Sequence, residues 1–230
     1  MWYRRIAAGR PARTIRLMVA KYPASLPEKR PDPVVYLAGG PGDIAPLEIN
    51  GFVAAGFIRD RDIYVVSQRG TMFSEPALTC AADDDFAREL LALRFYSEAT
   101  KRAHLAATEA CHRELAATGA DLSVYNSTES AADFADLRKV LGYETWNVYG
   151  MSYGSYLAQT LMRDHPEGIR SVVLDSVLPT TYTAPQTGGT RAPASTTSSR
   201  LARRNQPVSR PILISRTPSP DWSTSSRPSR

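Results

Sequence analysis

Histidine is scarce in this 230-residue sequence, and long apolar runs are missing from it. The three histidines are His104, His112 and His165, so few residues can act as an imidazole base. No stretch of about 18 or more apolar residues occurs, and the sequence therefore predicts no membrane-spanning helix. Arginines interrupt the first twenty residues, which argues against an ordinary signal peptide.

Cysteine is almost as rare, with Cys80 and Cys111 as the only two copies. Their spacing matches no metal-site pattern, and no metal or other cofactor is expected. The residues alone leave two alternatives open. The pair forms a disulfide in an exported protein, or both thiols stay free and buried in a reducing compartment.

The net charge of +5 is concentrated at the C-terminal end. Residues 181–230 hold eight arginines and one aspartate, and most of the rest is Ser, Thr and Pro. Such a composition cannot bury enough apolar surface to order itself, so a disordered tail is predicted after a folded domain at 1–180. The domain itself is close to neutral, and no nucleic-acid partner is expected for it.

Short apolar runs alternate with helical patterns along residues 14–180, which predicts an α/β domain with a mostly parallel sheet. One half-buried and four fully buried strands are expected, at Thr14–Ala20, Val34–Ala38, Asp62–Val66, Thr145–Tyr149 and Arg170–Asp175. Helices are expected at about 44–57, in one or two pieces over 83–117, from an N-cap within 126–129 to about 141, and at 153–164.

The segment Gly150-Met151-Ser152-Tyr153-Gly154 fits the G-x-S-x-G pattern of a nucleophilic serine. A predicted strand precedes it and a predicted helix follows, as a nucleophile elbow requires. On such a turn the hydroxyl of Ser152 is exposed, and the N–H of Tyr153 lies at a helix N-terminus that favours an oxyanion. The sequence therefore predicts Ser152 as a catalytic nucleophile.

The loop Gly39-Gly40-Pro41-Gly42 follows an earlier buried strand. Glycines let backbone amides point into a site without an obstructing Cβ atom. This is where α/β-hydrolases place the second donor of an oxyanion hole. Gly40 is the donor that we predict.

Three ordered segments resemble the proline iminopeptidase and tripeptidyl aminopeptidase branch of the α/β-hydrolases. They are VVYLAGGPG, DIYVVSQRGTMFSEPALTC and the stretch from DLRKVLGYETWNVYGMSYGSYLAQ to VVLDSVLP. The resemblance implies an α/β-hydrolase fold, Ser152 as nucleophile, and Tyr153 and Gly40 as oxyanion donors. It also implies hydrolysis of small peptides at their N-termini, or of related esters and amides.

The same resemblance bears on the cysteines, on the cellular compartment and on one loop. Members of the second branch are commonly exported, which favours a Cys80–Cys111 disulfide. The compartment stays open, because the missing signal peptide favours the cytoplasm. The loop from Gln68 to Thr71 matches the family's Q-R-G-x loop, which shapes the site.

Departures from the family pattern concern its catalytic machinery. Ala38 and Ser67 replace residues common in relatives. After VLP the family continues with a helical cap and with strands that bear the triad Asp and His, whereas residues 181–230 contain no histidine. We therefore expect a fold that is incomplete at its C-terminal end, and we interpret the tail as an out-of-frame product.

The remaining candidates do not replace the triad. His165 lies about 20 Å along the helix from Ser152, and His104 and His112 precede the serine in a helical region. Asp175 ends the last predicted strand and is interpreted as a loop cap. The sequence thus predicts a serine hydrolase of the aminopeptidase type with little turnover. The alternative is a non-catalytic binding protein whose basic tail tethers an anionic partner.

Overall fold

The computed structural model describes the backbone of residues 2–6 and, with their side chains, residues 14–54, 56 and 58–181. Its strands are β1 Trp2–Ile6, β2 Thr14–Tyr22, β3 Val34–Leu37, β4 Ile63–Val66, β5 Ser74–Glu75, β6 Trp146–Met151 and β7 Ile169–Asp175. Its helices are α1 Ala45–Ala54, α2 Ala81–Leu90, α3 Glu98–Ala117, α4 Ser127–Val140 and α5 Tyr153–Asp164, with a short 3-10 turn at Leu122–Val124. Apart from Thr181, the predicted tail at 181–230 lies outside the described residues.

The strands form one mixed sheet in the order β1-β2-β4-β3-β6-β7, and β5 pairs separately with β2. The pairs β4–β3, β3–β6 and β6–β7 are parallel. The pairs that involve β2 are antiparallel. A parallel core therefore continues into an antiparallel part on one side, as in a mostly parallel α/β fold.

Alternation along the central strands divides the core between the two faces of the sheet. On β3, Val35 and Leu37 join the cluster that contains Phe134 of α4 and Leu157 of α5. Their neighbours on β3, together with Tyr149 of β6, join a second cluster under α1. The strand is buried along its whole length because both of its faces are covered. This confirms the prediction from its apolar run.

Local signals place the helix ends where the sequence predicts them. The Asn126 side chain accepts a hydrogen bond of 2.9 Å from the Glu129 N–H and caps α4. Gly142, at φ +76°, follows the other end of α4. The helical region 83–117 is two helices, and Ser97 caps the second by accepting a bond from the Thr100 N–H.

The prediction that β7 is fully buried is wrong. Val173 is 52% exposed, and its neighbours are exposed or half-buried. Among the described residues β7 pairs only with β6, and α5 covers the face that carries Val172 and Leu174. The apolar run identifies a strand of a parallel sheet, but what covers its second face depends on residues distant in sequence.

Two strands were not expected from the sequence. β1 pairs with residues 14–18 of β2, and the two-residue β5 pairs with Arg16 and Leu17. The first is rich in arginine, and the second is too short for an alternating pattern to show. Both extend the antiparallel part of the sheet, away from Ser152.

Candidate active site

Ser152 occupies a sharp turn between β6, which ends at Met151, and α5, which begins at Tyr153. Its backbone has φ +53° and ψ −118°, a conformation that non-glycine residues rarely adopt. The residue is exposed, and its side chain does not cap the helix. The hydroxyl is therefore held outward at the N-terminus of α5, where a strained turn is typical of a functional residue.

Two glycines permit this turn because they let neighbouring backbone segments approach each other closely. A Cβ atom on Gly150 would lie 2.3 Å from the carbonyl oxygen of Gly154. A Cβ atom on Gly154 would lie 1.9 Å from the carbonyl oxygen of Leu37 on β3. Both distances are far below van der Waals contact, so the two glycines of the motif are required by packing rather than by backbone freedom.

Hydrogen bonds from the segment after β7 hold the turn from the other side. The Ser152 N–H donates to the Asp175 carbonyl at 2.9 Å. Ser155 Oγ donates to the Ser152 carbonyl at 2.6 Å and accepts from the Leu178 N–H at 2.7 Å. Gln159 Nε2 donates to the Leu178 carbonyl at 2.8 Å. Nothing in the sequence pattern pointed to Ser155 or Gln159 as supports of the site.

The glycine loop after β3 lies directly beside Ser152. A Cβ atom on Gly39 would lie 3.3 Å from Ser152 Cβ. Gly40 has φ +96°, and a Cβ atom there would lie 2.6 Å from the Gly42 nitrogen, so the loop folds tightly back on itself. Tyr153, the other predicted donor, is the first residue of α5, and its hydroxyl lies 2.8 Å from Ser127 Oγ. Loop and helix N-terminus thus converge at the serine.

A carboxylate that the sequence did not single out borders the same space. Asp43 Oδ2 would lie 2.8 Å from a Cβ atom on Gly39. Burial raises the pKa of Glu48, and the adjacent Asp43 raises it further against the opposing effect of the Tyr36 hydroxyl, which donates to Glu48 at 2.7 Å. Burial and the bond to Glu48 likewise raise the pKa of Tyr36. The glycine loop therefore has two neighbouring carboxyl groups, Asp43 and Glu48, on one side.

The Q-R-G loop, from Gln68 to Thr71, supports the strand end that leads into the glycine loop. The buried Gln68 amide donates from Nε2 to the Ala38 carbonyl at 3.2 Å. The buried Arg69 guanidinium donates to both carboxylate oxygens of Asp133 on α4, at 2.8 and 2.7 Å. A bidentate pair of this kind fixes direction as well as distance. The loop after β4 is thus tied to both the strand end and α4.

Asp175 lies one strand away from Ser152. Its Cα position is paired with that of Met151, and its Oδ2 accepts a bond of 2.6 Å from the Tyr149 hydroxyl. The bonds from Tyr149 and Ser176 lower the pKa of Asp175, so it is a stable anion. Burial and this carboxylate raise the pKa of Tyr149 to about 12.

Among the described residues, none of the three histidines is hydrogen-bonded to Ser152. His104 stacks on Phe86 with ring centroids 5.1 Å apart, inside the α2–α3 pair. His112 lies on α3, and His165 follows the far end of α5, about 20 Å from Ser152 along the helix. Over the described ranges no group of three or more His, Cys, Asp and Glu side chains could hold a metal ion. No described helix is long and apolar enough to span a bilayer.

Cys80 and Cys111 are joined in a disulfide with Cα atoms 5.3 Å apart. The bridge links the start of α2 to the second half of α3, away from the serine.

Comparisons with known proteins identify the fold family. A family model described as alpha/beta hydrolase fold matches residues 32–209, a range that extends into the predicted tail. A proline iminopeptidase from Neisseria gonorrhoeae is 28% identical over 145 residues, which are 63% of this chain and 32% of that protein. Its counterpart from Neisseria meningitidis serogroup B matches equally. The chain thus spans about a third of the length of these curated relatives.

Solved structures of low identity match part of this chain as well. A proline iminopeptidase-related protein from Thermus thermophilus is 15% identical, with a TM-score of 0.45 over 76% of this chain and 43% of that one. A probable hydrolytic enzyme from Pseudomonas aeruginosa is 14% identical, with a TM-score of 0.44 over 76% of this chain and 40% of that one.

Proposed function

Because the chain belongs to the α/β-hydrolase fold family, we propose that it carries the nucleophile and oxyanion hole of a serine hydrolase that cleaves amide or ester bonds. The observation that carries this proposal is the exposed Ser152 on a turn of positive φ at the head of α5. A serine with a purely structural role would gain nothing from this strained conformation.

In the proposed reaction, Ser152 Oγ attacks the scissile carbonyl carbon and its proton leaves to a base. Negative charge develops on the carbonyl oxygen, and the N–H groups of Tyr153 and Gly40 donate to it. The partial positive charge at the N-terminus of α5 adds to this stabilisation. The tetrahedral intermediate then expels the amine or alcohol, and water later releases the acyl group from Ser152.

Small peptides with a free N-terminus, or related esters and amides, are the proposed substrates. The curated relatives are named proline iminopeptidases, which supports a peptide bond as the target. The position of the Asp43 carboxyl group beside the glycine loop supports the same class, because its oxygens can accept hydrogen bonds from the amino terminus of a peptide.

Turnover by this chain is proposed to be slow. None of the three histidines is hydrogen-bonded to Ser152 in the part of the chain that the structure describes, so the attacking hydroxyl has no imidazole base in place. Removal of triad members costs a factor on the order of 10⁴–10⁶ in rate, and the residual rate comes from the oxyanion hole and substrate binding. A site with only those two parts should react slowly but at one serine.

A fluorophosphonate probe tests both halves of the proposal. We expect slow labelling at a single site that disappears in Ser152→Ala, and a labelling rate that rises with added imidazole as an external base. Ser155→Ala is a less suitable control, since that hydroxyl holds the turn. Ser123→Ala, on the 3-10 turn, is the matched exposed control and should label like the unchanged protein.

Two other results of the labelling experiment would each contradict one part of the proposal. Folded protein that does not label, with or without imidazole, would remove Ser152 as a nucleophile and favour the non-catalytic alternative. Rapid stoichiometric labelling without imidazole would show that a base is already present, and the proposed slow turnover would be wrong.

A further inference from the structure

Helices α2 and α3 form an antiparallel hairpin that packs chiefly on itself. The disulfide joins Cys80 to Cys111, and the Ala81 N–H donates to Glu114 at 2.9 Å, so both contacts clamp the open end of the hairpin. The stacked pair of Phe86 and His104 joins the helices further along. Neither helix contains a fully buried residue. The hairpin thus projects about 15 Å, the length of α2, from its disulfide.

Apolar side chains are concentrated at the free end, in the connection 91–97, which we name the hairpin apex. Leu91 is 90% exposed, Phe95 is 65% exposed and Tyr96 is 79% exposed. The apex is ordered by local bonds: the Ser97 N–H and Thr100 Oγ1 both donate to the Arg94 carbonyl, at 3.0 and 2.7 Å. An ordered segment that holds three large apolar side chains exposed to water is typical of an interaction surface.

Charge is divided along the hairpin in the same direction. The apex half, residues 88–104, has four basic and two acidic residues. The remainder, residues 81–87 and 105–117, has five acidic residues and one basic residue. Arg94, at the apex itself, makes no ion pair with any residue that the structure describes. The surface that surrounds the apolar groups is therefore positive, and the opposite end is negative.

The size of the apex indicates which kind of partner it fits. Three side chains of this size expose on the order of 400 Å² together. A stable protein interface buries about 800 Å² on each partner, so the apex alone is too small for one. Insertion into a bilayer interface needs only a few aromatic or aliphatic groups together with basic residues that contact anionic headgroups.

We propose that the hairpin apex binds an anionic lipid surface, with Leu91, Phe95 and Tyr96 in the interface and Arg94 at the headgroups. This function is independent of the chemistry at Ser152. The disulfide keeps the two helices together while the apex is inserted, and it also suits an oxidising compartment that faces a membrane.

Flotation of the full chain with vesicles tests the proposal. We expect binding to vesicles of phosphatidylcholine mixed with phosphatidylglycerol, and much weaker binding to phosphatidylcholine alone or at high salt. The double variant Phe95→Ser and Tyr96→Ser should lower the partition coefficient at least about tenfold. Arg94→Glu should lower it for the anionic vesicles only. Val140→Ser, which alters another exposed apolar residue, is the matched control and should bind unchanged.

Other outcomes overturn the proposal. Equal binding by all variants, or no binding to either kind of vesicle, would show that the apex is not a lipid contact. A dimer seen by light scattering that is lost in the double variant would identify a second copy as the partner instead. Because the altered side chains are exposed, circular dichroism should show each variant folded. Phe95→Trp gives an independent readout, and its emission must shift to shorter wavelength on the anionic vesicles.

Discussion

Gly154 is the position at which a single methyl group should disturb the fold most. A Cβ atom there would lie 1.9 Å from the Leu37 carbonyl oxygen and 2.9 Å from the Ala38 carbonyl oxygen. Both atoms belong to the backbone at the end of β3, so no side-chain rotation can relieve the contact. Carbon and oxygen rarely approach closer than about 3.3 Å, and Gly154→Ala must therefore separate α5 from β3 by more than about 1 Å.

The cost follows from what that separation disturbs. Leu157 and Ala158 lie on the same helix and are fully buried in the core cluster. Inserting a methylene into a well-packed core costs about 1–3 kcal/mol, and more where the backbone must move. We expect Gly154→Ala to lower the free energy of unfolding by about 3 kcal/mol or more, out of a typical total of roughly 5–15 kcal/mol.

Two other glycines in helical regions provide matched substitutions. Gly51 lies inside α1 with no atom within 4 Å of an added Cβ, so Gly51→Ala should be neutral or stabilise by up to about 1 kcal/mol. Gly142 has equally open space but φ +76°, so Gly142→Ala should cost about 1–2 kcal/mol from backbone strain alone. The three variants separate the effect of volume from the effect of backbone conformation.

Urea unfolding followed by circular dichroism and tryptophan fluorescence measures the three free energies. The expected order of stability is Gly51→Ala, then Gly142→Ala, then Gly154→Ala. If Gly154→Ala were as stable as Gly142→Ala, the contact between α5 and β3 would be adjustable, and glycine would not be required by packing. Gly154→Ala should also abolish labelling of Ser152 in whatever fraction stays folded.

Three further predictions concern the ion pairs and the disulfide. Asp133→Ala should cost about 3 kcal/mol in the same urea assay because the buried guanidinium of Arg69 loses its bidentate partner and is left with the longer ion pair of 3.6 Å to Glu129, and Asp133→Leu with Arg69→Met should recover part of it. Burial alone would raise the pKa of Asp62, but bonds that include one from Lys21 lower it to about 2. The contribution of Asp62 to the free energy of unfolding is therefore present above about pH 4 and is lost as the pH falls toward 2. Asp62→Asn should make the free energy of unfolding nearly independent of pH over that range. Cys80→Ser should open the hairpin, so that limited proteolysis cuts within 81–117 before the sheet unfolds, whereas cleavage at the same rate in both proteins would contradict a clamping role.

The sheet core and the turn at Ser152 could be predicted because their signals are local. Val34–Leu37 is a continuous apolar run, Trp146–Met151 is apolar apart from Asn147, and the glycines at 150 and 154 stand at fixed distances from the serine. The N-cap at Asn126 likewise depends only on residues close to it along the chain. In each case residues close to one another along the chain determine the result.

Contacts between distant residues were not predictable in this way. The bidentate pair of Arg69 with Asp133 joins residues 64 positions apart, and the hydrogen bond between Ser155 and Leu178 joins residues 23 positions apart. The exposure of Val173 was mispredicted for the same reason: an apolar strand signals its place in a sheet, but its cover is contributed by another part of the chain. Helical periodicity also did not predict the hairpin of α2 and α3, because it does not show which helices pack against each other.

The geometry of the proposed nucleophile, Ser152, and its expected rate of reaction depend on different parts of the molecule. Three contacts fix the turn: Gly154 against Leu37, Gln68 against the strand end, and Ser155 against Leu178. All of them lie within residues 37–178, and none involves a histidine or a cap. Under the proposed function, a missing base slows attack by Ser152 without altering the turn, whereas Gly154→Ala alters the turn without touching any ionisable group. Added imidazole should accordingly raise the labelling rate of the unchanged chain and leave Gly154→Ala unlabelled, and rescue of both would show that the turn does not depend on this packing.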